Sequence, residues 1–204
     1  MKKFLLLLIA IGTAFSLASQ SSQAILEQAQ AYQDSISERF QNPETTILDA
    51  KTFRKFKALE YYPVDLKYRV TADFVRTPNE KPFLMPTTTE RLPEYVKYAE
   101  AHFKIDGKPL KLMLYKSTDS WGDPEKYGNH LFLPFTDWTS GDGSYGGGRF
   151  IDLTIPEGDT IIIDFNKSYN PYCAYSPKYS CPIPPRENDL PIRIEAGVKD
   201  FQKH

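Results

Sequence analysis

Hydrophobic spacing near the start of the chain predicts two helices. Between residues 25 and 40 apolar side chains recur at intervals of three and four, which is the spacing of one helical face; they are Ile25, Ala29, Tyr32, Ile36 and Phe40. Asn42–Pro43 ends this helix, because a residue before proline disfavours helical backbone. Asp49 can cap a second, short helix that carries Phe53, Phe56 and Leu59. Residues 25–60 are therefore predicted to be helical.

After Pro63 the hydrophobic period changes to two, which is typical of half-buried strands. Asp106–Gly107 predicts a tight hairpin turn, because both positions tolerate a positive φ. The predicted strands lie at 68–74, 99–105, 110–114, 131–135, 150–155 and 160–165, with a final short strand at Ile192 and Ile194. At least seven short strands separated by turns predict a mainly β fold for residues 61–204. We expect an antiparallel sandwich or barrel-like single domain with one or two N-terminal helices.

The first residues have the layout of a secretory signal peptide. A basic start, Met1–Lys3, precedes an uncharged apolar run, and small residues at Ser16 and Ala18 suit cleavage after Ala18. Cleavage after Ala24 is the alternative. A membrane anchor is the competing interpretation, but the run is shorter than the roughly 20 residues that span a bilayer. The sequence therefore predicts a secreted or periplasmic protein with no transmembrane span in the mature chain. No cysteine lies near the junction to carry a lipid.

Composition excludes several classes of partner. The net charge of −1 gives no electrostatic basis for binding nucleic acid or an anionic membrane. His130 is the only plausible site histidine, and no cluster of histidine and acidic residues has metal-ligand spacing. The sequence thus predicts neither a metal site nor a cofactor. The only two cysteines, Cys173 and Cys181, lie in the exported part, where an even pair favours a disulfide.

Two loops carry the candidate site residues. The first, residues 136–149, contains three consecutive glycines and then Arg149, a planar cation that suits a carboxylate or phosphate. A structural alternative is a tight loop whose arginine pairs with Asp152 or Asp164 inside the protein. The second loop, residues 164–188, is about 25 residues long and holds four tyrosines and both cysteines. Such loops are usually functional or disordered, and the tyrosines and cysteines argue against disorder. An ordered cover for a sheet edge is equally compatible with this composition.

These loops resemble a catalogued family. The segments that carry the resemblance are Tyr145–Phe150, Asp164–Asn166, Tyr169–Pro171, Cys173–Tyr175 and Cys181–Asn188, with Tyr62–Asp65 upstream. They are similar to the family catalogued as domain of unknown function 1684, over about residues 53–197. The resemblance implies a widespread bacterial family without an established activity. It supports the domain boundaries and the choice of loops, and it implies no mechanism.

Topology predicts where the two loops meet. A short turn, Pro156–Asp159, joins the strands at 150–155 and 160–165, so we expect them to pair as an antiparallel hairpin. That pairing would bring Arg149 and Asn166 to the same edge of the sheet. The predicted ligand-binding residues at this edge are Tyr145, Gly146, Gly147, Gly148, Arg149, Asn166, Tyr169, Asn170, Tyr175 and Asn188.

Three functions are compatible with these residues. The first is an exported domain that binds a small ligand in an Arg- and Tyr-lined pocket between the loops. The second is a hydrolase-type enzyme that uses Asp152, Asp164 or Glu187 in acid–base chemistry, with Arg149 as an anion clamp. The third is a purely structural envelope protein. The chain has few histidines and few recognisable nucleophile motifs, and this scarcity favours the binding domain over the enzyme.

Overall fold

The computed structural model describes residues 2–201, with side chains from residue 20 onward. Helix α1 spans Lys2–Gln41 and α2 spans Ala50–Lys55. Both predicted helices form, but α2 ends before Phe56 and Leu59, which lie in extended or irregular backbone. The Asp49 carboxylate caps α2 by accepting hydrogen bonds from the backbone N–H groups of Lys51 and Thr52. The predicted signal peptide, residues 1–18, falls where no side chains are described. Within the described part of the chain, no helix combines the length and apolarity that crossing a bilayer requires.

Eight strands within residues 2–201 form one mainly antiparallel sheet. They are β1 (Arg69–Arg76), β2 (Phe83–Leu84), β3 (Glu94–Ile105), β4 (Lys108–Ser117), β5 (His130–Asp137), β6 (Arg149–Thr154), β7 (Thr160–Asp164) and β8 (Asp189–Leu190). A short helix, α3 (Pro124–Tyr127), lies between β4 and β5. The predicted mainly β single domain is confirmed, and its form is barrel-like because the single sheet is strongly curled.

Strand order corrects the predicted hairpin between β6 and β7. The hydrogen-bonded order is β6-β5-β4-β3-β1-β7, with β2 beside β3 and β8 parallel to β5. β6 and β7 therefore occupy opposite ends of the sheet, and β7 pairs with β1 instead. Curling still brings β6 and β7 near each other. The short turn at 156–159 thus crosses the mouth of a half-barrel rather than closing a hairpin.

The predicted last strand at Ile192 and Ile194 is also wrong. These residues are buried in irregular backbone, and the last strand is β8, just before them. Their backbone groups pair without a strand ladder: the carbonyl of Ile194 accepts from the Arg149 side chain, and the carbonyl of Ile192 accepts from the backbone N–H of Trp138. A side chain and a single loop N–H thus satisfy these carbonyls in place of a neighbouring strand.

The β3–β4 hairpin shows how the sheet acquires two apolar faces. Asp106 and Gly107 turn the chain with φ of 51° and 76°, as predicted. A register shift between Lys97 and Ala99 then inserts one extra residue into β3. Because side chains alternate with a period of two, this bulge moves Tyr95 to the face opposite Ala99. The two faces are packed by different residues.

The concave, inner face carries the main core. Its buried side chains include Phe103, Leu112, Leu114, Leu133, Phe135, Ile151, Ile163 and Phe165. The outer face carries a second cluster of Met85, Tyr95, Met113, Tyr115, Phe132 and Phe150. A third cluster, containing Phe40, Leu48, Leu59, Tyr175 and Val198, fixes α1 and α2 against the C-terminal segment. A cavity lies between the second and third clusters.

Candidate functional site

A cavity of about 540 Å³ lies between the outer face of the sheet, α1 and the loop that follows β7. Its volume is within the range of about 300–1,000 Å³ that is usual for small-ligand sites. The lining is rich in aromatic rings, among them Tyr32, Tyr95, Trp121, Phe132, Phe150 and Tyr169. Charged residues are few: among the described lining residues they are Arg39, Arg91 and Asp152. An apolar wall with few polar groups is the usual composition of a binding cavity.

Strand periodicity explains why Asp152 reaches this cavity and Arg149 does not. The two residues are three apart in β6, so their side chains leave opposite faces of the strand. Phe150 and Asp152 lie on the outer face, where Phe132 of β5 is the direct neighbour of Asp152. Arg149 lies on the inner face with Ile151. A pairing between Arg149 and Asp152 is therefore geometrically excluded.

Both carboxylate oxygens of Asp152 have hydrogen-bond partners. Its Oδ1 is 2.8 Å from the Nε2 of His130, and its Oδ2 accepts from the hydroxyl of Tyr169 at 2.8 Å. The ring of Trp121 lies 4.4 Å from the imidazole of His130. Its indole N–H donates to the hydroxyl of Tyr95 at 3.1 Å. This network holds the carboxylate in place and leaves its side chain half-exposed at the cavity.

Four phenols of the cavity, those of Tyr32, Tyr61, Tyr95 and Tyr169, are neutral at physiological pH. Burial raises the pKa of Tyr32, Tyr95 and Tyr169 above the ordinary value of a tyrosine, and the nearby Asp152 carboxylate raises each of these pKa values further. Burial likewise raises the pKa of Tyr61 to about 12. These side chains therefore provide apolar ring surface and hydroxyl donors. None is poised to act as a general base near neutral pH.

The loop that follows β7 forms one wall of the cavity and also covers a sheet edge. Tyr169 exchanges backbone hydrogen bonds of 2.9 and 3.0 Å with Phe150, which caps the free edge of β6. Further along, Asn170, Tyr172, Tyr175 and Cys181 line the cavity. The two interpretations of this loop are thus compatible, because one part covers the edge and another part shapes the cavity.

Cys173 and Cys181 form the predicted disulfide bond within this wall. The backbone at Cys181 is anchored to the segment after β2. Thr88 donates its backbone N–H to the carbonyl of Cys181 at 2.9 Å, and Arg91 donates to the carbonyl of Ser180 at 2.9 Å. The bond therefore ties Cys173 to a stretch that the segment between β2 and β3 holds.

Loss of this disulfide is expected to lower stability moderately. The bond closes a short loop, for which the chain-entropy model gives about 2.5 kcal/mol. We expect the Cys173→Ser/Cys181→Ser variant to lose about that free energy of unfolding in urea titrations. Mass spectrometry of alkylated native protein checks the bond itself. Two alkylated thiols in native protein, or an unchanged free energy in the variant, would contradict the assignment.

The Arg149 side chain is completely buried on the inner side of the sheet. One guanidinium nitrogen donates to Asp137 Oδ2 at 2.8 Å and to the carbonyl of Ile194 at 2.8 Å. The other donates to the carbonyl of Ala196. Arg149 thus pairs inside the protein, but its partner is Asp137 and neither Asp152 nor Asp164. The arginine that was predicted to bind a ligand anion instead binds backbone carbonyls of the C-terminal segment.

The glycine-containing loop, residues 136–149, contains both members of this buried ion pair, one near each of its ends. Asp137 Oδ1 accepts from the backbone N–H groups of Thr139 and Ile194, at 2.8 and 3.0 Å, so the carboxylate is shared between the loop and the C-terminal segment. Gly148 has φ of 86°, and a Cβ there would lie 2.6 Å from the Phe135 carbonyl oxygen. The close approach requires glycine for packing. Tyr145, Gly146, Gly147 and Gly148 lie outside the described cavity lining.

Two predicted site asparagines are buried structural links. Asn188 accepts from the backbone N–H of Met113 and donates to the carbonyls of Met113 and Pro134, at 2.7, 2.9 and 2.7 Å. It bridges β4 and β5 where they share only a single register pair. Asn166 exchanges hydrogen bonds with the backbone of Asp65 and accepts at its own carbonyl from Gln33 of α1. Their amides are engaged in holding elements together.

The other two candidate carboxylates lie away from the cavity. Asp164 accepts from the backbone N–H and side-chain amide of Asn166, at 3.1 and 2.9 Å. Glu187 accepts from the Tyr115 hydroxyl at 2.9 Å and pairs with Lys97 at 2.7 Å. Burial alone would raise the pKa of Glu187, but the Lys97 and Tyr115 donors lower it overall. Each carboxylate is committed to a local partner.

Sequence reasoning identified part of the cavity. The predicted residues that line it are Asp152, Tyr169, Asn170, Tyr175 and Cys181. The lining residues that it missed include Tyr32, Arg39, Arg91, Tyr95 and Trp121. Only the α1 residues carried a readable signal: Tyr32, Ile36 and Arg39 share one helical face, which places an arginine beside an apolar stripe. Arg91 and Trp121 lie in irregular segments whose position depends on tertiary contacts.

Comparisons with known proteins give a family and a related structure. Residues 54–199 match the family described as Protein of unknown function (DUF1684). The solution NMR structure of an uncharacterised protein from Haloarcula marismortui is similar, with 30% sequence identity and a TM-score of 0.68. The similarity covers 91% of this chain and 99% of that one. No curated protein matches the chain in sequence.

Proposed function

The chain belongs to the family described as Protein of unknown function (DUF1684), and we propose that it is an exported domain that binds a small ligand in the aromatic cavity. The observation that carries the proposal is the cavity itself. It is about 540 Å³ in volume, and its walls are α1, the sheet and the loop that follows β7. Ordered walls support binding, because a preformed site has a small ordering cost when the ligand enters.

A cavity-filling substitution tests this proposal. Ile36 of α1 lines the cavity, whereas Ala31 of the same helix is exposed to solvent. We expect the neutral fluorophore 1-aminoanthracene to bind the wild-type protein saturably, and Ile36→Trp to weaken that binding at least about tenfold by occupying its space. Fluorescence titration with excitation of the probe measures the affinity.

Ala31→Trp is the matched control, because it adds the same side chain to the same helix outside the cavity. Its probe affinity should equal that of the wild type. Absence of saturable binding to the wild type, or equal losses in the two variants, would contradict binding in this cavity. Thermal unfolding of both variants checks that each one is folded.

Export is the second part of the proposal, and the cleavage sites after Ala18 and Ala24 support it. The described contacts that fix α1 begin beyond both sites, with buried Ala29, Gln33 and Phe40. Removal of the first 18 or 24 residues therefore leaves these contacts intact. We expect protein recovered from the periplasm or medium to lack this segment by intact mass. Recovery from fractionated cells with Met1 still attached would refute export.

A hydrolase-type activity is the second candidate, and the hydrogen bond between His130 and Asp152 is the observation that favours it. A histidine held by a carboxylate can act as a general base. However, the described lining offers no second carboxylate, and Asp164, Glu187 and Arg149 are engaged elsewhere. A His130→Gln variant that abolishes turnover of an ester substrate, with probe affinity unchanged, would favour the enzyme over the binding domain.

A further inference from the structure

Two arginines from different elements border the aromatic cavity, and neither has an acidic partner among the described residues. Arg39 comes from α1 and Arg91 from the segment before β3, and both line the cavity. Among the described residues, no carboxylate lies within 4 Å of either guanidinium. Arg91 donates only to the neutral Ser180 oxygens, at 3.1 and 2.9 Å. The positive charge of each guanidinium is therefore available to a ligand.

The charge of the lining is positive as a whole. Arg39 and Arg91 contribute +2 and Asp152 contributes −1, which gives 2 − 1 = +1 for the described lining residues. Asp152 already has a donor on each oxygen, from His130 and Tyr169. Its capacity to hold a further cation is thus partly used. The arginines, by contrast, retain N–H groups suited to a carboxylate or phosphate.

Both arginines act on the phenols inside the cavity, which places them beside the apolar lining. The positive charge of Arg39 lowers the pKa of Tyr32 against the larger effect of burial, and Arg91 acts in the same sense on Tyr95. Tyr32, Ile36 and Arg39 follow one another along a single face of α1, from an aromatic ring to a cation. The lining therefore changes from apolar to cationic over about two helical turns.

We propose that the cavity takes an amphipathic carboxylate, with its apolar body against the aromatic wall and its anionic head between Arg39 and Arg91. This inference rests on the proposed function, because it requires that the cavity binds a ligand at all. It also moves the anion site from Arg149, which is buried and paired with Asp137, to two residues on the other side of the sheet.

Three ligands with the same ten-carbon chain test the charge of the head group. Decanoate, 1-decanol and decyltrimethylammonium compete against bound 1-aminoanthracene in fluorescence titrations of the purified full chain. We expect decanoate to displace the probe at a concentration at least about tenfold lower than the cation, since a charge-assisted hydrogen bond contributes about that factor. Added salt should reduce this preference, because the arginines are exposed.

Arg39→Gln and Arg39→Gln/Arg91→Gln remove the charges. Arg39 has no side-chain hydrogen bond among the described residues, so the single variant avoids disturbing the loop that Arg91 holds. We expect the preference for decanoate to fall in the single variant and to disappear in the double variant, while direct affinity for 1-aminoanthracene is retained. Arg54→Gln is the control, because Arg54 is exposed on α2 and outside the described lining.

The outcomes separate this inference from the proposed function. Saturable probe binding with equal or better displacement by decyltrimethylammonium would overturn the anion site and leave the binding domain in place. A decanoate preference that survives in the double variant would overturn it too. Absence of saturable probe binding would overturn both proposals. A preference for decanoate that is lost only when the cavity arginines are changed supports the site.

Discussion

Arg149→Met is expected to lower the free energy of unfolding by about 3–5 kcal/mol, because it leaves a buried carboxylate without its cation. Asp137 and Arg149 side chains are both completely buried, and their atoms approach to 2.8 Å. The substitution also removes donors from the carbonyls of Ile194 and Ala196, which have no strand partner. Urea denaturation of the folded protein measures the loss.

Arg193→Met is the matched control for this prediction. Arg193 binds Asp142 and Glu195 in the same region of the chain, but its side chain is 40% exposed. We expect little change in stability, because water screens an exposed pair.

Arg149→Lys should also lower the melting temperature, since an ammonium cannot reproduce the fork that spans Asp137 and two carbonyls. Neither change at Arg149 should alter probe affinity in the folded fraction; a selective loss of affinity with stability retained would contradict the structural role.

Asn188→Leu is expected to cost about 3–9 kcal/mol of unfolding free energy. The substitution is similar in size but removes three hydrogen bonds at once, from Met113 N–H and from the carbonyls of Met113 and Pro134. Each buried backbone group left without a partner costs about 1–3 kcal/mol. The position is fully buried, so water is excluded from replacing the lost partner.

Asn129→Leu supplies the comparison, because Asn129 is exposed near the start of β5. Its unfolding midpoint should stay close to that of the wild type. Hydrogen exchange gives a second readout, since loss of the Asn188 bridge should speed exchange of the Met113 amide, which donates to Asn188, more than that of the amides that β3 and β4 donate to each other. Equal stability of the two leucine variants would show that Asn188 does not join β4 to β5.

Local regularities in the sequence determined the elements of this protein. Alternation with a period of two identified β1, β3 and β4, short apolar runs identified β5, β6 and β7, and Asp106–Gly107 identified the hairpin turn between β3 and β4. Spacing of three and four identified α1, and Asp49 marked the start of α2. These signals are local, because side-chain direction depends on backbone geometry within a few residues.

The candidate site was only partly readable for the same reason. The loop after β7 was identified by its length and its tyrosines, and it does form a wall of the cavity. The wall contributed by α1 and the arginine from the segment before β3 were missed. The α1 residues lie more than 110 positions from Asp152 in the chain, and Arg91 lies more than 60 positions from it. No local sequence pattern indicates that residues so far apart line one cavity.

Only the tertiary structure decided which strands are neighbours and which charges meet. A short turn between β6 and β7 favoured a hairpin, yet β6 pairs with β5 and β7 with β1, which places β6 and β7 at opposite ends of the hydrogen-bonded order. The partner of Arg149 became Asp137 because both lie on the inner face, whereas Asp152 lies on the outer one. Periodicity assigns side chains to two faces of a strand. Which face becomes the core and which the cavity depends on how the whole sheet curls and what packs against it.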